Sequence, residues 1–350
     1  MTDAALVGRL LDEYHERSVA PADIAVVAGS QHETRVTYRL TLPDGSQQIM
    51  RAFRADQLVP LHGRGTGSET LADWLLGRGR TLACLAESHY PAPRPVRTRT
   101  GELVGVAGQW LTWATSYVPG EELRPTISQL RALGVTMGAL HETFTGPCAV
   151  GALSLASRHP AVAVPAAIRR LDAVRDRVPS QWQPMYESFR ETLSAVVRAA
   201  ASVPETVVHG DVWARNAVQV APSGPVTLID WETAGLGLAV LDLGNCVLEC
   251  PLASSLPDDK PEEWLITPDE APIAAVCEGY RNVRELTAAE RDLLPEAVRF
   301  PAAVLGAVHF ELALVSGVTG PTMDARLAVL QNRLDVADVV TALALRHLAG

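Results

Sequence analysis

Apolar positions along this chain change period more than once. Residues Ala4 to Arg17 carry apolar side chains three and four apart, the spacing of a helix with one buried face. The period then shortens. "ADIAVVAGS" reads as a strand ending at Gly29, and "RVTYRLTLPDGSQQIMRAFRAD" as two strands joined at Pro43-Asp44-Gly45-Ser46, where Pro, Asp and Gly suit a tight reversal. Thr66-Gly67-Ser68-Glu69 has Glu three places after Thr, the pattern of a capping box, and opens a helical stretch toward Glu87 that Gly77 and Gly79 interrupt. "PAPRPVRTRTGELVGVAGQWLTWATSYVPG" reads as Pro-bounded strands with a turn at Thr100-Gly101 and an end near Pro119-Gly120.

From Ser128 onward the helical period dominates. It runs through "QLRALGVTMGALHETF", "WQPMYESFRETLSAVVRAAASV", "APIAAVCEGYR", "AAERDLLPEAVRFPAAVLGAVHFELALV" and "MDARLAVLQNRLDVADVVTALALRHL". Two short strands, Thr206 to Val208 and Val226 to Asp230, interrupt it. The pattern predicts an α+β fold of two lobes. A small strand-rich N-terminal lobe spans residues 1–118, with a hinge near Ser116 to Gly120, and a larger, mainly helical C-terminal lobe spans 119–350.

Composition narrows the function. A chain of 350 residues is long enough for two lobes. Its formal net charge of -10, from 40 acidic against 30 basic residues, argues against a nucleic-acid or anionic-membrane partner and favours cationic ones. Lys260 is the single lysine, so Arg must do whatever Lys commonly does. Cys84, Cys148, Cys246, Cys250 and Cys277 form no C-x-x-C pair and no zinc spacing, which predicts reduced thiols in a cytoplasmic protein. No basic-then-apolar signal segment opens the chain. The apolar run Pro301 to Val318 contains His309 and Glu311, so it reads as a core helix and not a membrane span.

Chemistry concentrates in "VVHGDVWARNAVQVAPSGPVTLIDWE", Val207 to Glu232. A loop with Asp211 and Asn216, followed by Asp230 at the end of an apolar strand, holds the parts for phosphoryl transfer. One carboxylate orients the attacking hydroxyl and accepts its proton. The amide and the second carboxylate offer the hard oxygen ligands that magnesium takes.

His209-Gly210-Asp211 with Asn216, Ile229-Asp230-Trp231-Glu232, Gly237, and Asp242-Leu243-Gly244 together resemble the aminoglycoside phosphotransferase and choline kinase family, small-molecule kinases of the protein-kinase-like fold. The resemblance implies that Asp211 is the catalytic base and that Asn216 and Asp230 are the magnesium ligands. It also implies that His209 supports the loop, that Asp242 buttresses it from the following helix, and that Leu140-His141 belongs to the helix beneath the site. ATP or GTP would lie between the lobes, with Arg51 of "MRAFR" against its phosphates, a post that Arg can hold by bidentate contact. The family's helix glutamate falls near Arg78, so the ion pair to Arg51 is missing or supplied by Glu69. The first-strand loop, Gly29 to Thr34, has a single Gly, which implies a reduced loop with Ser30 near the phosphates. In "WATSYVPGEEL", backbone groups near Ser116 and Val118 would meet the nucleobase edge.

The acceptor is the least defined part. "PDDKPEEWLITPDE" places six acids and one lysine between Asp258 and Glu270, an acidic lip for a cationic substrate or a solvated loop. Trp213 and Trp231 flank Asp211 and Asp230, to wall the acceptor pocket or to pack in the core. The resulting expectation is a magnesium-dependent kinase that moves the γ-phosphate of ATP or GTP to a hydroxyl of a small cationic molecule. An antibiotic of the aminoglycoside or basic peptide type is the leading candidate, serving resistance or self-protection. A metabolic kinase of an amino alcohol, sugar or amino acid, or a nucleotide-binding pseudokinase, are the alternatives.

Overall fold

The computed structural model describes residues 4–14, 24–27, 35–55, 70–143, 153–221, 224–252, 260–318 and 320–349. They fall into two compact units, the first ending at Pro119 and the second beginning at Gly120.

The first unit is built on an antiparallel sheet. After helix α1 (Ala4–Asp12) come β1 (Ile24–Val26), β2 (Arg35–Thr41) and β3 (Gln47–Arg54), then helix α2 (Leu71–Glu87), then β4 (Pro95–Val96), β5 (Gly105–Ala107) and β6 (Trp110–Ser116). The sheet order is β1-β2-β3-β6-β4, with β5 also paired to β6. The predicted reversal forms between β2 and β3. Gly45 takes φ +81, where a side chain would be strained, and the Ser46 N–H donates to Asp44 Oδ1 at 2.9 Å. Strand alternation then sends Tyr38, Leu40, Met50 and Ala52 to one face, where they pack with Leu10, Leu11, Tyr14 and Ala114 in one core.

Helix α2 starts later than the sequence suggests. Thr70 and Asp73 make the capping box, with the Asp73 N–H donating to Thr70 Oγ1 and the Thr70 N–H to Asp73 Oδ2, both at 3.1 Å. The expected pair, Thr66 with Glu69, lies outside the described residues. Gly77 and Gly79 do not interrupt the helix. At Gly79 the missing side chain admits Leu103, whose Cβ would sit 3.0 Å from a Cβ placed there.

The second unit is mainly helical. Its helices are α3 (Ile127–Thr143), α4 (Pro160–Val174), α5 (Gln183–Ala200), α6 (Ala239–Glu249), α7 (Glu270–Arg281), α8 (Ala288–Leu314) and α9 (Pro321–Leu348). Between them run β7 (Glu121–Glu122), β8 (Glu205–Val208), β9 (Ala217–Gln219), β10 (Val226–Leu228) and β11 (Gly235–Leu238). These pair as a three-stranded sheet, β10-β9-β7, and a two-stranded ribbon, β11-β8. The strand expected to reach Asp230 stops at Leu228, because Asp230 turns into the left-handed region at φ 62, ψ 60.

Helices α3 and α7 cross at glycines. A Cβ on Gly134 would lie 2.2 Å from Val276 O, and one on Gly279 would lie 2.1 Å from Arg131 O. That closeness sets Tyr280 of α7 against His141 of α3. Helix α8 is, among the described residues, the one helix long and apolar enough to cross a membrane, but 67% of its most apolar window is buried inside the protein. It packs on α4, α5, α6 and α9 as the core helix expected from His309 and Glu311.

Candidate active site

Strand β8 delivers its chain into His209-Gly210-Asp211, and a buried carboxylate receives it. Asp242 of α6 accepts the His209 N–H on Oδ2 and the Gly210 N–H on Oδ1, each at 2.8 Å. Gly210 needs its residue type: φ is +83, and a Cβ would approach Thr233 O to 2.8 Å. Burial alone would raise the Asp242 carboxyl. The hydrogen bonds from His141 and from the loop N–H oppose that, and the group is held below the ordinary carboxylate value.

The buttress continues away from the loop. His141 Nε2 lies 3.3 Å from Asp242 Oδ2 and its Nδ1 lies 3.0 Å from the Tyr280 hydroxyl. Burial pushes the Tyr280 phenol up, so it keeps its proton and donates to His141 while accepting from Arg284 Nη1 at 2.9 Å. Arg284 closes the chain on Glu290, the capping residue of α8, at 2.8 Å. Every member of this line is buried and partnered, which buried polar groups require.

His209 joins the Asp211 loop to the turn that carries Asp230. Its Nε2 lies 2.8 Å from Ile229 O, and a carbonyl can only accept, so Nε2 carries the proton. Nδ1 is then the acceptor for the Asp211 N–H at 3.3 Å. The ring meets Trp231 edge-on at 4.6 Å, and Thr233 Oγ1 donates to His209 O at 2.8 Å. Trp231 is 1% exposed and donates its Nε1–H to Leu228 O, so it is a core residue and not a pocket wall.

Asp211 and Asn216 meet directly. The Asn216 Nδ2 donates to Asp211 Oδ2 at 2.7 Å and to Asp211 O at 2.9 Å. Both partners are acceptors, which fixes the amide orientation and turns Asn216 Oδ1 the other way. Asp230, tied to the same loop through Ile229 N–H donating to Asn216 O at 2.9 Å, holds a left-handed backbone rare for a non-glycine residue. Two oxygen donors from protein side chains suit magnesium, which draws its remaining ligands from phosphates and water. Among the described residues no group of three or more His, Cys, Asp and Glu could hold a metal by itself.

Sequence reading missed Arg158. Its Nη2 donates to Asp211 Oδ1 at 2.9 Å and its Nη1 to Asn245 Oδ1 at 3.0 Å. Asn245, one turn beyond Asp242 on α6, donates in turn to Val212 O at 3.0 Å. Three thiols on α6 and α7 or just beyond, Cys246, Cys250 and Cys277, are buried, and burial raises all three, Cys277 to about 12; none is a nucleophile.

Arg51, Arg78, Ser116 and Val118 belong to the first unit. Arg51 lies on β3, opposite Trp113 of β6 in register, with its guanidinium over that ring at 5.6 Å. Arg78 is buried and stacks on Trp74 at 5.2 Å, while Glu69 and Ser30 lie outside the described residues. Ser116 ends β6, its N–H donating to Arg94 O at 2.8 Å, and Val118 follows in the same unit. Trp213, half-buried beside Asp211, meets Trp264 at 5.8 Å.

Three described acids of the acidic stretch have local partners. Glu263 pairs with Lys260 at 3.2 Å, Asp269 caps α7, and Glu270 holds Arg346 at 2.7 Å and His347 at 3.1 Å. Asp258 and Asp259 lie outside the described residues.

Known proteins share the family and the fold of this chain. A family model described as the phosphotransferase enzyme family, APH, matches residues 70–286, more than half of the chain. A homoserine kinase of Acidiphilium cryptum (strain JF-5) is 27% identical over 267 residues, 73% of this chain and 74% of the relative. Among solved structures, the amicoumacin kinase hAmiN, in complex with AMP-PNP, Ca2+ and Ami, superposes with a TM-score of 0.65 at 15% identity, covering 97% of this chain and 94% of the other. A microcompartment-associated aminopropanol kinase superposes with a TM-score of 0.58 at 18% identity, covering 99% and 100%. With its buttressed Asp211 loop, the matched family model and the protein-kinase-like α+β fold, the chain belongs to the APH phosphotransferase family of small-molecule kinases.

Proposed function

We propose that this chain moves the γ-phosphate of ATP or GTP, with magnesium, to the hydroxyl of a compact acceptor that carries an ammonium group, a hydroxy amino acid or an amino alcohol. The observation that carries the phosphotransfer reading is the contact of Asp211 with Asn216, which holds the carboxylate and leaves the amide oxygen to a cation. Asp211 accepts the proton of the acceptor hydroxyl as its oxygen bonds to the γ-phosphorus and the bond from that phosphorus to the β-phosphate bridging oxygen breaks. Asn216 and Asp230 would hold magnesium, which would neutralise charge on the phosphates. Arg51 contacts those phosphates from the first unit, where the nucleobase edge is read by backbone groups at Ser116 and Val118. In this assignment residues 1–118 bind nucleotide and 119–350 supply catalysis and the acceptor site.

The 27% identity to a homoserine kinase over most of both chains supports a metabolic acceptor. The acidic lip supports a polycationic antibiotic less than its composition suggests, since Glu263, Asp269 and Glu270 are occupied by neighbours.

Purified protein with magnesium and either ATP or GTP would be offered homoserine, ethanolamine, choline, aminopropanol and a set of aminoglycosides, with Asp211→Ala alongside. Turnover of a small amino-bearing alcohol, lost by about 100-fold or more in the variant, is expected. Turnover of an aminoglycoside with none of the small acceptors would sink the metabolic reading. No phosphate transfer to any acceptor would sink the kinase assignment of this site.

A further inference from the structure

We propose that Arg158 is the positioning residue that sets the plane of the Asp211 carboxylate for the incoming hydroxyl, an assignment that rests on the phosphotransfer reading above. A carboxylate on a single methylene turns about two bonds, and one partner fixes only one oxygen. Asn216 holds Oδ2 at 2.7 Å and Arg158 holds Oδ1 at 2.9 Å, so the two together fix the group. Each oxygen keeps lone-pair capacity for the acceptor hydroxyl.

Arg158 is itself held at both ends. Its planar fork spans Asp211 and Asn245, and Asn245 ties back to Val212, the residue after the base. Its backbone lies in a segment pinned to the turn after Asp230. Ala156 N–H donates to Leu236 O at 2.8 Å, Leu236 N–H to Ser154 O at 2.9 Å, and Ser157 N–H to Thr233 O at 3.0 Å. Gly235 lets that segment approach, since a Cβ there would lie 2.5 Å from Ser154 O. On the other side His159 contacts Glu205 at 2.9 Å and caps α4 by accepting the Ala161 N–H at 3.1 Å. The same turn therefore carries Asp230, braces His209 through Thr233, and anchors the arm that presents Arg158. Exposure fits a supporting role. The Arg158 side chain is 14% exposed and that of Asp211 is 31%, so the guanidinium is the less accessible of the pair and the carboxylate remains reachable.

The test uses the full chain with Arg158→Ala, Arg158→Gln, Asp211→Ala and the double variant Arg158→Ala/Asp211→Ala, assayed with magnesium, nucleotide and the acceptor found above. Arg158→Ala is expected to lose about 100-fold in kcat, the scale of a misplaced catalytic group, with nucleotide KM within about 2-fold of wild type. Guanidinium ion added to Arg158→Ala should restore part of that loss and none in Asp211→Ala. The double variant should be no slower than Asp211→Ala, because a residue acting only through Asp211 has nothing left to position. Arg158→Gln covers the case in which the alanine variant fails to fold. Losses that multiply in the double variant, a kcat within about 3-fold of wild type in a folded single variant, or an effect confined to KM would each overturn the assignment. A wild type that transfers no phosphate would instead overturn the phosphotransfer reading itself.

Discussion

Replacing Asp242 by Asn tests the catalytic loop's support most directly. The carboxylate accepts three groups: the His209 N–H, the Gly210 N–H and His141 Nε2. An Asn side chain offers one oxygen and sets an N–H2 against a donor. One charge-assisted bond is lost, at about 1.5 to 3 kcal/mol, and one buried donor is left facing another, at about 1 to 3 kcal/mol. The expected destabilisation is therefore about 2.5 to 6 kcal/mol, a large part of the roughly 5 to 15 kcal/mol that holds a protein folded. Urea titration at neutral pH, followed by circular dichroism, would read it as a lower midpoint at unchanged slope. Because Gly210 directly precedes Asp211, kcat should fall with it. The pH dependence has a definite sign. The folded Asp242 pKa lies below the ordinary value of 3.8, so its stabilisation is complete above that value and is lost as pH falls through the lower folded one. The difference between wild type and variant should thus be flat from about pH 5 to 8 and shrink only in strong acid. A variant within about 0.5 kcal/mol of wild type, with unchanged kcat, would refute the reasoning.

Two further substitutions probe other links. Arg333→Met should cost about 3 to 5 kcal/mol by leaving Glu249 buried without the guanidinium that now binds both its oxygens at 2.8 and 3.0 Å, and adding Glu249→Gln should return part of that loss in the same urea titration. Arg51→Ala should raise the nucleotide KM by about 10-fold, the value of one charge-assisted phosphate contact, and leave the acceptor KM unchanged in steady-state kinetics.

The features legible in the sequence were those set by contacts within a few residues. Asp211 and Asn216 share one loop, and the reversal at Pro43 to Ser46 needs only its own four residues, so spacing and residue type sufficed. Arg158 had no such signal. Its place depends on Ala156 and Ser157 pairing with Leu236 and Thr233, contacts far apart in the chain, and no periodic pattern marks them. The start of α2 was misread for a different reason. "TGSETLAD" contains two Thr-x-x-acid patterns in succession, and local sequence supports both. The second wins in the structure, where it places Leu71, Trp74 and Leu75 on the buried face of the helix. Helix α6 is buried on all sides, its polar face included, so its period marks no solvent-facing side; the motif at Asp242 pointed to it.

That fully buried helix is also where the polar chemistry of the second unit is organised. Asp242, Asn245 and Glu249 fall at i, i+3 and i+7, one face of α6. Each would be costly to bury alone, and each is committed to a different partner: the loop backbone, Arg158, and Arg333 of α9. The Asp211 loop packs through His209 and Val212, both fully buried, but at its tip Gly210 has no side chain and Asp211 is partly exposed. At that tip Asp242 receives two backbone N–H groups and Asn245 holds the guanidinium that reaches Asp211. On this account substitutions along that face of α6 should damage catalysis in proportion to how directly their partners reach Asp211, with Asp242 and Asn245 ahead of Glu249.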